Sequence, residues 1–127
     1  MKRSYLSLPL AAGESRLRLT MAGQRALREK WDQDVMQLLL TAATEPEILC
    51  DLLTQALNWP DSGNPITDGA ALYDALVDEG WQGQAAFAAL AFDLGSASGL
   101  LTRDQAKELT AAVSGAYDSA FAALGHE

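Results

Sequence analysis

The sequence predicts a helix-dominated α+β fold, in which an N-terminal β-hairpin packs on a bundle of about five helices. Three observations lead there. Leucines alternate with other residues over the first twenty positions, apolar residues recur at helical spacing from Thr20 onward, and each helical stretch is bracketed by capping or turn residues.

The hairpin comes first. Leu6, Leu8 and Leu10 point to one side of an extended segment and Tyr5 and Ser7 to the other, while Leu17 and Leu19 alternate with Arg16 and Arg18. Ala11-Ala12-Gly13-Glu14 supplies a connection of hairpin length, and Pro9, which has no N–H to donate, restricts the first strand to an edge. A lone two-stranded hairpin does not persist in water, so its leucine face calls for helices against it.

Thr20 then caps a helix that runs to Trp31, with Leu27 and Trp31 one turn apart. The stretch Asp32-Gln33-Asp34 allows a break before a second helical segment, Gln33 to Ala43, which carries Val35, Leu38 and Leu39. Thr44-Glu45-Pro46-Glu47 has capping-box spacing with a proline in the first turn, and Leu49, Leu52, Leu53, Ala56 and Leu57 form the apolar face of the helix it opens. Asn58-Trp59-Pro60 closes that helix, and the loop from Pro60 to Pro65 follows. Thr67 is read as the cap of a helix through Glu79 with Leu72, Tyr73 and Leu76 inward and Asp68 in its first turn. A further helix spans Gln82 to Leu94, with Gly95-Ser-Ala-Ser-Gly99 as the joint beyond it. A second capping box, Thr102-Arg-Asp-Gln105, opens the last helix, whose Leu109, Val113, Ala116, Tyr117, Ala120 and Leu124 share one side. That stripe suits packing within the domain or self-association. A chain of 127 residues, 49% of them hydrophobic, fits a single domain over residues 1–127, with the hairpin at 4–20 and the helical body at 21–124.

Charge is unevenly distributed. Residues 1–30 hold seven basic side chains against two carboxylates, a net of +5, and residues 31–127 hold two against fifteen, a net of −13. Either the basic start folds against its own acidic body, or the surface is two-faced. Binding of a nucleic-acid backbone is disfavoured, because an acidic body repels phosphates. No apolar run reaches the roughly 18 residues of a spanning helix, and serine and proline interrupt the leucines of a would-be signal peptide, so a cytoplasmic location away from membranes is expected.

The residues give little to chemistry. His126 is the single histidine and stands next to the end of the chain, which removes histidine triads and clusters. Cys50 is the single cysteine; set in an apolar periodic segment, it is expected to be a buried, reduced thiol. Asp74 and Asp78 stand one helical turn apart, yet no second carboxylate helix with a histidine accompanies them, so no metal and no cofactor is expected. Phosphate-loop and dinucleotide-binding glycine patterns are absent from the sequence. An enzyme is therefore not expected. Large aromatic side chains are the remaining candidates for partner contact: Trp31, Trp59 and Trp81, since tryptophan is enriched in binding hot spots, and Tyr117 and Phe121 of the last helix.

Taken in order, these segments resemble one family. The hairpin ending in Arg16-Leu-Arg-Leu-Thr20, the helix Ala22 to Lys30, the leucine-rich pair around Leu38 and Leu52, Ile66-Thr67-Asp68 leading into Leu72-Tyr73-Asp74 and on to Gly80, and Ala85 to Leu101 are similar to the tail assembly chaperones of long-tailed phages and prophages. The likeness covers roughly residues 4 to 101. The resemblance implies a non-enzymatic protein of the host-cell cytoplasm that binds the tape measure protein, keeps it soluble and recruits tail tube protein during assembly, with self-association expected. The acidic body also fits another class, a small phage-encoded inhibitor or adaptor that imitates a phosphate backbone towards a basic, nucleic-acid-binding host protein.

Overall fold

In the structure, a computed structural model, the backbone is described for residues 4–124 and the side chains for residues 4–115. The hairpin is formed by β1 (Leu6–Leu8) and β2 (Ser15–Leu17), antiparallel, with Leu6 opposite Leu17, Ser7 opposite Arg16 and Leu8 opposite Ser15. Both strands are shorter than the alternation of leucines, because the strand pairing stops ahead of Pro9. The leucines still follow the expected faces: Leu8, Leu17 and Leu19 are buried, and Leu6 and Leu10 pack at the edge of the same core.

The hairpin is held by groups outside it. The outer edge of β2 would leave its backbone unpaired, and Asn64 takes the place of a third strand. Its Oδ1 accepts from the Arg16 amide at 2.7 Å, and its Nδ2 donates to the Arg16 carbonyl at 2.7 Å and the Leu57 carbonyl at 2.9 Å. The Arg18 amide donates to the Ala56 carbonyl at 3.0 Å, so the loop and the end of the third helix together finish the sheet edge. Asn64→Ala removes three of these hydrogen bonds and is expected to cost about 2 kcal/mol, read as a lower urea midpoint.

Six helices follow among the described residues: α1 (Met21–Trp31), α2 (Val35–Thr41), α3 (Pro46–Leu57), α4 (Gly69–Asp78), α5 (Gln84–Ala97) and α6 (Arg103–Leu124). Thr20 caps α1 as expected, its Oγ1 accepting from the Gly23 amide at 3.2 Å, and Asp32 ends it in the left-handed conformation at φ 51°. Asp34 caps α2 through the Met36 amide. The capping box of the last helix forms reciprocally: the Gln105 amide donates to Thr102 Oγ1 at 3.0 Å and the Thr102 amide to Gln105 Oε1 at 2.9 Å.

Three boundaries differ from expectation, each for a local reason. The Thr44 box does not form, because the Thr44 hydroxyl instead donates back to the Thr41 carbonyl at 3.1 Å; Pro46 opens α3 behind Glu45 without a side-chain cap. Asp68, not Thr67, caps α4, its Oδ2 accepting from the Ala71 amide at 3.1 Å, since Asn58 Nδ2 holds the Thr67 carbonyl in the loop at 2.7 Å. Finally, α5 runs through Gly95 to Ala97. Gly95 is a packing site inside the helix: a Cβ there would stand 3.0 Å from Leu39 Cδ1 and 3.2 Å from Leu101 Cδ1. The chain turns only at Gly99, at φ 84°.

The core lies between the hairpin and the first five helices. α3 is at its centre and buries Ile48, Leu49, Leu52, Leu53, Ala56 and Leu57. α5 is apolar apart from Gln84, Asp93 and Ser96, and it is covered on two faces. Phe87, Leu90, Ala91 and Leu94 meet the main core, whereas Ala88 and Phe92 turn the other way, onto Ala106, Leu109 and Val113 of α6. With 22 residues against 14, α6 is longer than the helix it packs on by about 12 Å. No described helix is long and apolar enough to cross a membrane.

Candidate docking surface

The aromatic candidates separate into different environments. Trp59 is a core residue, 7% exposed, with its Nε1 donating to the Arg16 carbonyl at 3.0 Å and Tyr5 stacked on it at 6.1 Å between ring centroids. It braces the hairpin and offers little surface to a partner. Trp81 is half-buried after α4, tilted against Phe87 at 6.0 Å, and Phe87 in turn stacks on Tyr73 at 4.8 Å. Trp31, at the end of α1, is half-buried at the margin of an open groove. Tyr117 and Phe121 lie outside the residues whose side chains are described, as does His126.

Trp31 is held in place by Asp51 of α3. Asp51 Oδ2 accepts from Trp31 Nε1 at 2.9 Å and also meets Lys30 Nζ at 2.7 Å, with the Lys30 ammonium 5.7 Å from the Trp31 ring centroid. One carboxylate thus fixes the indole and neutralises the adjacent cation. The groove beside it has a volume of about 390 Å³, and Trp31, Pro46, Cys50 and Ala70 give it a mainly apolar lining. A second groove of about 240 Å³ lies between α3, α4 and α5, lined by Leu49, Tyr73 and Phe87 with the Ala42–Thr44 turn. Pro46 lines both and stands between the two grooves at the start of α3. A larger, polar hollow of about 730 Å³ lies elsewhere, between α1 and the α2 entry, where Arg25 and Arg28 face Glu29, Asp32 and Asp34.

That arrangement bears on the uneven charge. Arg16 pairs with Glu14 at 3.4 Å and Lys30 with Asp51, so part of the basic N-terminal portion meets carboxylates of the hairpin and the body. The Arg16–Glu14 pair is exposed and adds little to stability.

Cys50 was expected to be buried, but the structure places it half-exposed in the groove beside Trp31, which forms an apolar trough between α3 and α4. The buried stripe of α3 is Ile48, Leu49, Leu52, Leu53, Ala56 and Leu57, and Cys50 lies beside it with Thr54, on the side where α4 crosses at Gly69. Without a side chain there, α4 crosses α3 so closely that the Gly69 amide donates to Thr54 Oγ1 at 2.8 Å. Beside this crossing the thiol remains at the open side of the contact, next to Ala70. Desolvation, aided by the charges of Asp51, Asp68 and Asp74, pushes the Cys50 thiol above its ordinary pKa. Because the thiolate is the reacting form, Cys50 is expected to react with a disulfide reagent such as DTNB more slowly than a free cysteine at pH 7.5. The deficit should narrow as the pH is raised towards 9.5.

Asp74 and Asp78 are both exposed on α4. Among the described residues no three histidine, cysteine, aspartate or glutamate side chains converge as a metal site would require. Asp93 on α5 has its carboxyl pKa raised by partial burial and stands apart from the trough.

The arrangement is a candidate docking surface: an apolar trough between helices with Glu47 and Asp51 at its border and an anchored tryptophan. No protein-family model, curated protein or solved structure matches the chain.

Pro46, Cys50, Ala70 and Tyr73 were not candidates in the sequence, since two belong to α3 and two to α4 and only the crossing of those helices gathers them. The signal that points to them is Gly69 directly after a capping aspartate, a place where a helix former would ordinarily stand.

Proposed function

We propose that this protein is a tail assembly chaperone of a long-tailed phage or prophage, binding the tape measure protein in the host-cell cytoplasm and assisting assembly of the tail tube. On this reading it is not an enzyme: it acts by holding a helical client and self-associates while doing so. The observation that carries the reading is the open apolar trough beside Trp31, with a second apolar groove on the other side of Pro46, on a chain whose segments in order resemble that family. A client helix needs an apolar seat between helices, and a carrier of net charge −8 resists aggregation while loaded.

The test is co-expression with the tape measure protein encoded downstream, followed by size-exclusion chromatography. A soluble, co-eluting complex is expected. An insoluble tape measure protein beside free chaperone would overturn the reading and favour a basic host protein as partner.

A further inference from the structure

The trough has an electrostatic character that its apolar floor does not require. Glu47 and Asp51 line it, and Asp68 and Asp74 are near enough to act on the thiol at its floor. Among the described lining residues the one cation is Lys30, and its ammonium is already paired with Asp51 at 2.7 Å, so the charge left over in the lining is that of Glu47, with Asp68 and Asp74 adding theirs nearby. The lining alone carries a net charge of −1. The outer row of α4 prolongs the same pattern, since Ala70, Asp74 and Val77 are spaced four and three residues apart and therefore share a face, with Val77 44% exposed.

We propose that the trough receives a basic amphipathic helix, whose apolar side lies on Trp31, Pro46, Cys50 and Ala70 and whose lysines or arginines meet the carboxylates of the rim. This names the client segment for the chaperone reading and rests on it. An apolar floor with an acidic border selects for that chemistry: an acidic helix would add like-charge repulsion along the rim, and a neutral one would cover Glu47 and Asp74 without supplying a cation to either. Asp51 has a supporting part in this, because it holds the Trp31 ring in orientation.

The test uses the full chain and a synthetic amphipathic peptide of leucine and lysine, about five helical turns long, beside its leucine–glutamate counterpart. Binding is read by peptide fluorescence anisotropy, and occupancy of the trough by protection of Cys50, the single cysteine, from DTNB. The leucine–lysine peptide is expected to bind, to slow Cys50 modification several-fold, and to weaken as salt rises from about 0.05 to 0.3 M, over which screening shortens markedly. The leucine–glutamate peptide is expected to do neither. Ala70→Arg, at an exposed position, should weaken binding about tenfold with an unchanged melting temperature. Equal binding of both peptides, binding without protection of Cys50, or unchanged binding by Ala70→Arg would overturn the proposal. So would protection of Cys50 that grows with protein concentration in the absence of peptide, which would make the occupant a second copy of the chain. A tape measure complex that forms equally well with Ala70→Arg would overturn this proposal and leave the chaperone reading standing. A peptide seated in the trough with no tape measure complex would do the reverse.

Discussion

Gly69→Ala is expected to destabilise the protein by about 3 kcal/mol or more, lowering the melting temperature by about 10 °C in thermal denaturation followed by circular dichroism. No unusual backbone conformation is involved, since Gly69 is not among the glycines at positive φ. The cost is steric. A Cβ at this position would overlap the Cys50 carbonyl oxygen and stand 2.7 Å from Thr54 Oγ1 and 2.8 Å from the Thr54 amide nitrogen. Two of those three atoms belong to the backbone of α3, which cannot rotate aside as a flexible side chain does, so α4 must move as a whole. Moving it stretches the hydrogen bond from the Gly69 amide to Thr54 and draws Leu72 and Leu76 out of the core. The same substitution at Gly115 provides the contrast: it lies within α6 with nothing within 4 Å of the added Cβ, and alanine there is expected to stabilise by about 0.5 to 1 kcal/mol. A Gly69→Ala protein that melts with the wild type would mean that α3 and α4 are not in backbone contact, and the trough built on that contact would lose its basis.

How much of this was legible in the sequence depended on how local each signal was. Caps that use only their own helix were readable, as Thr20 and the Thr102–Gln105 pair demonstrate. Caps that compete with a neighbouring segment were not: Thr44 turned back to α2, and Thr67 was claimed by Asn58 from the end of α3. Gly95 was read as a joint because glycine generally ends helices, while its actual use is to let Leu39 and Leu101 approach the helix axis. That distinction needs the tertiary partners, which periodicity does not supply. The same limit applies to the docking surface. Trp31 was picked for its residue type, and Trp59 for the same reason, yet one edges a groove and the other is sealed under Tyr5. Composition identifies hot-spot chemistry, but exposure is decided by which helices cross and how closely.

Phe92→Ala is expected to have its largest effect on α6. Phe92 is 1% exposed and is the largest side chain of the second cluster, where Ala88 of α5 meets Ala106, Leu109 and Val113 of α6. Truncating a buried phenylalanine costs about 3 to 5 kcal/mol through lost transfer energy and the cavity that remains. α6 makes its principal contacts with α5, so it bears the loss, whereas α3 retains its contacts with α1, α4 and the hairpin. Tertiary packing supplies most of the stability of a helix in a protein, so with its contact on α5 weakened the opening of α6 becomes a low-energy event separate from global unfolding. Hydrogen exchange should therefore show the α6 amides of Phe92→Ala exchanging many-fold faster than those of the wild type, while the slowest amides of α3 change much less. Equal acceleration in α3 and α6 would show that the two clusters unfold as one unit and that α6 is as integral as the central helix. If α6 alone is released, Leu109 and Val113 become exposed with it. The variant should then self-associate more strongly in analytical ultracentrifugation, because an apolar stripe that has lost its cover within the chain seeks one between chains.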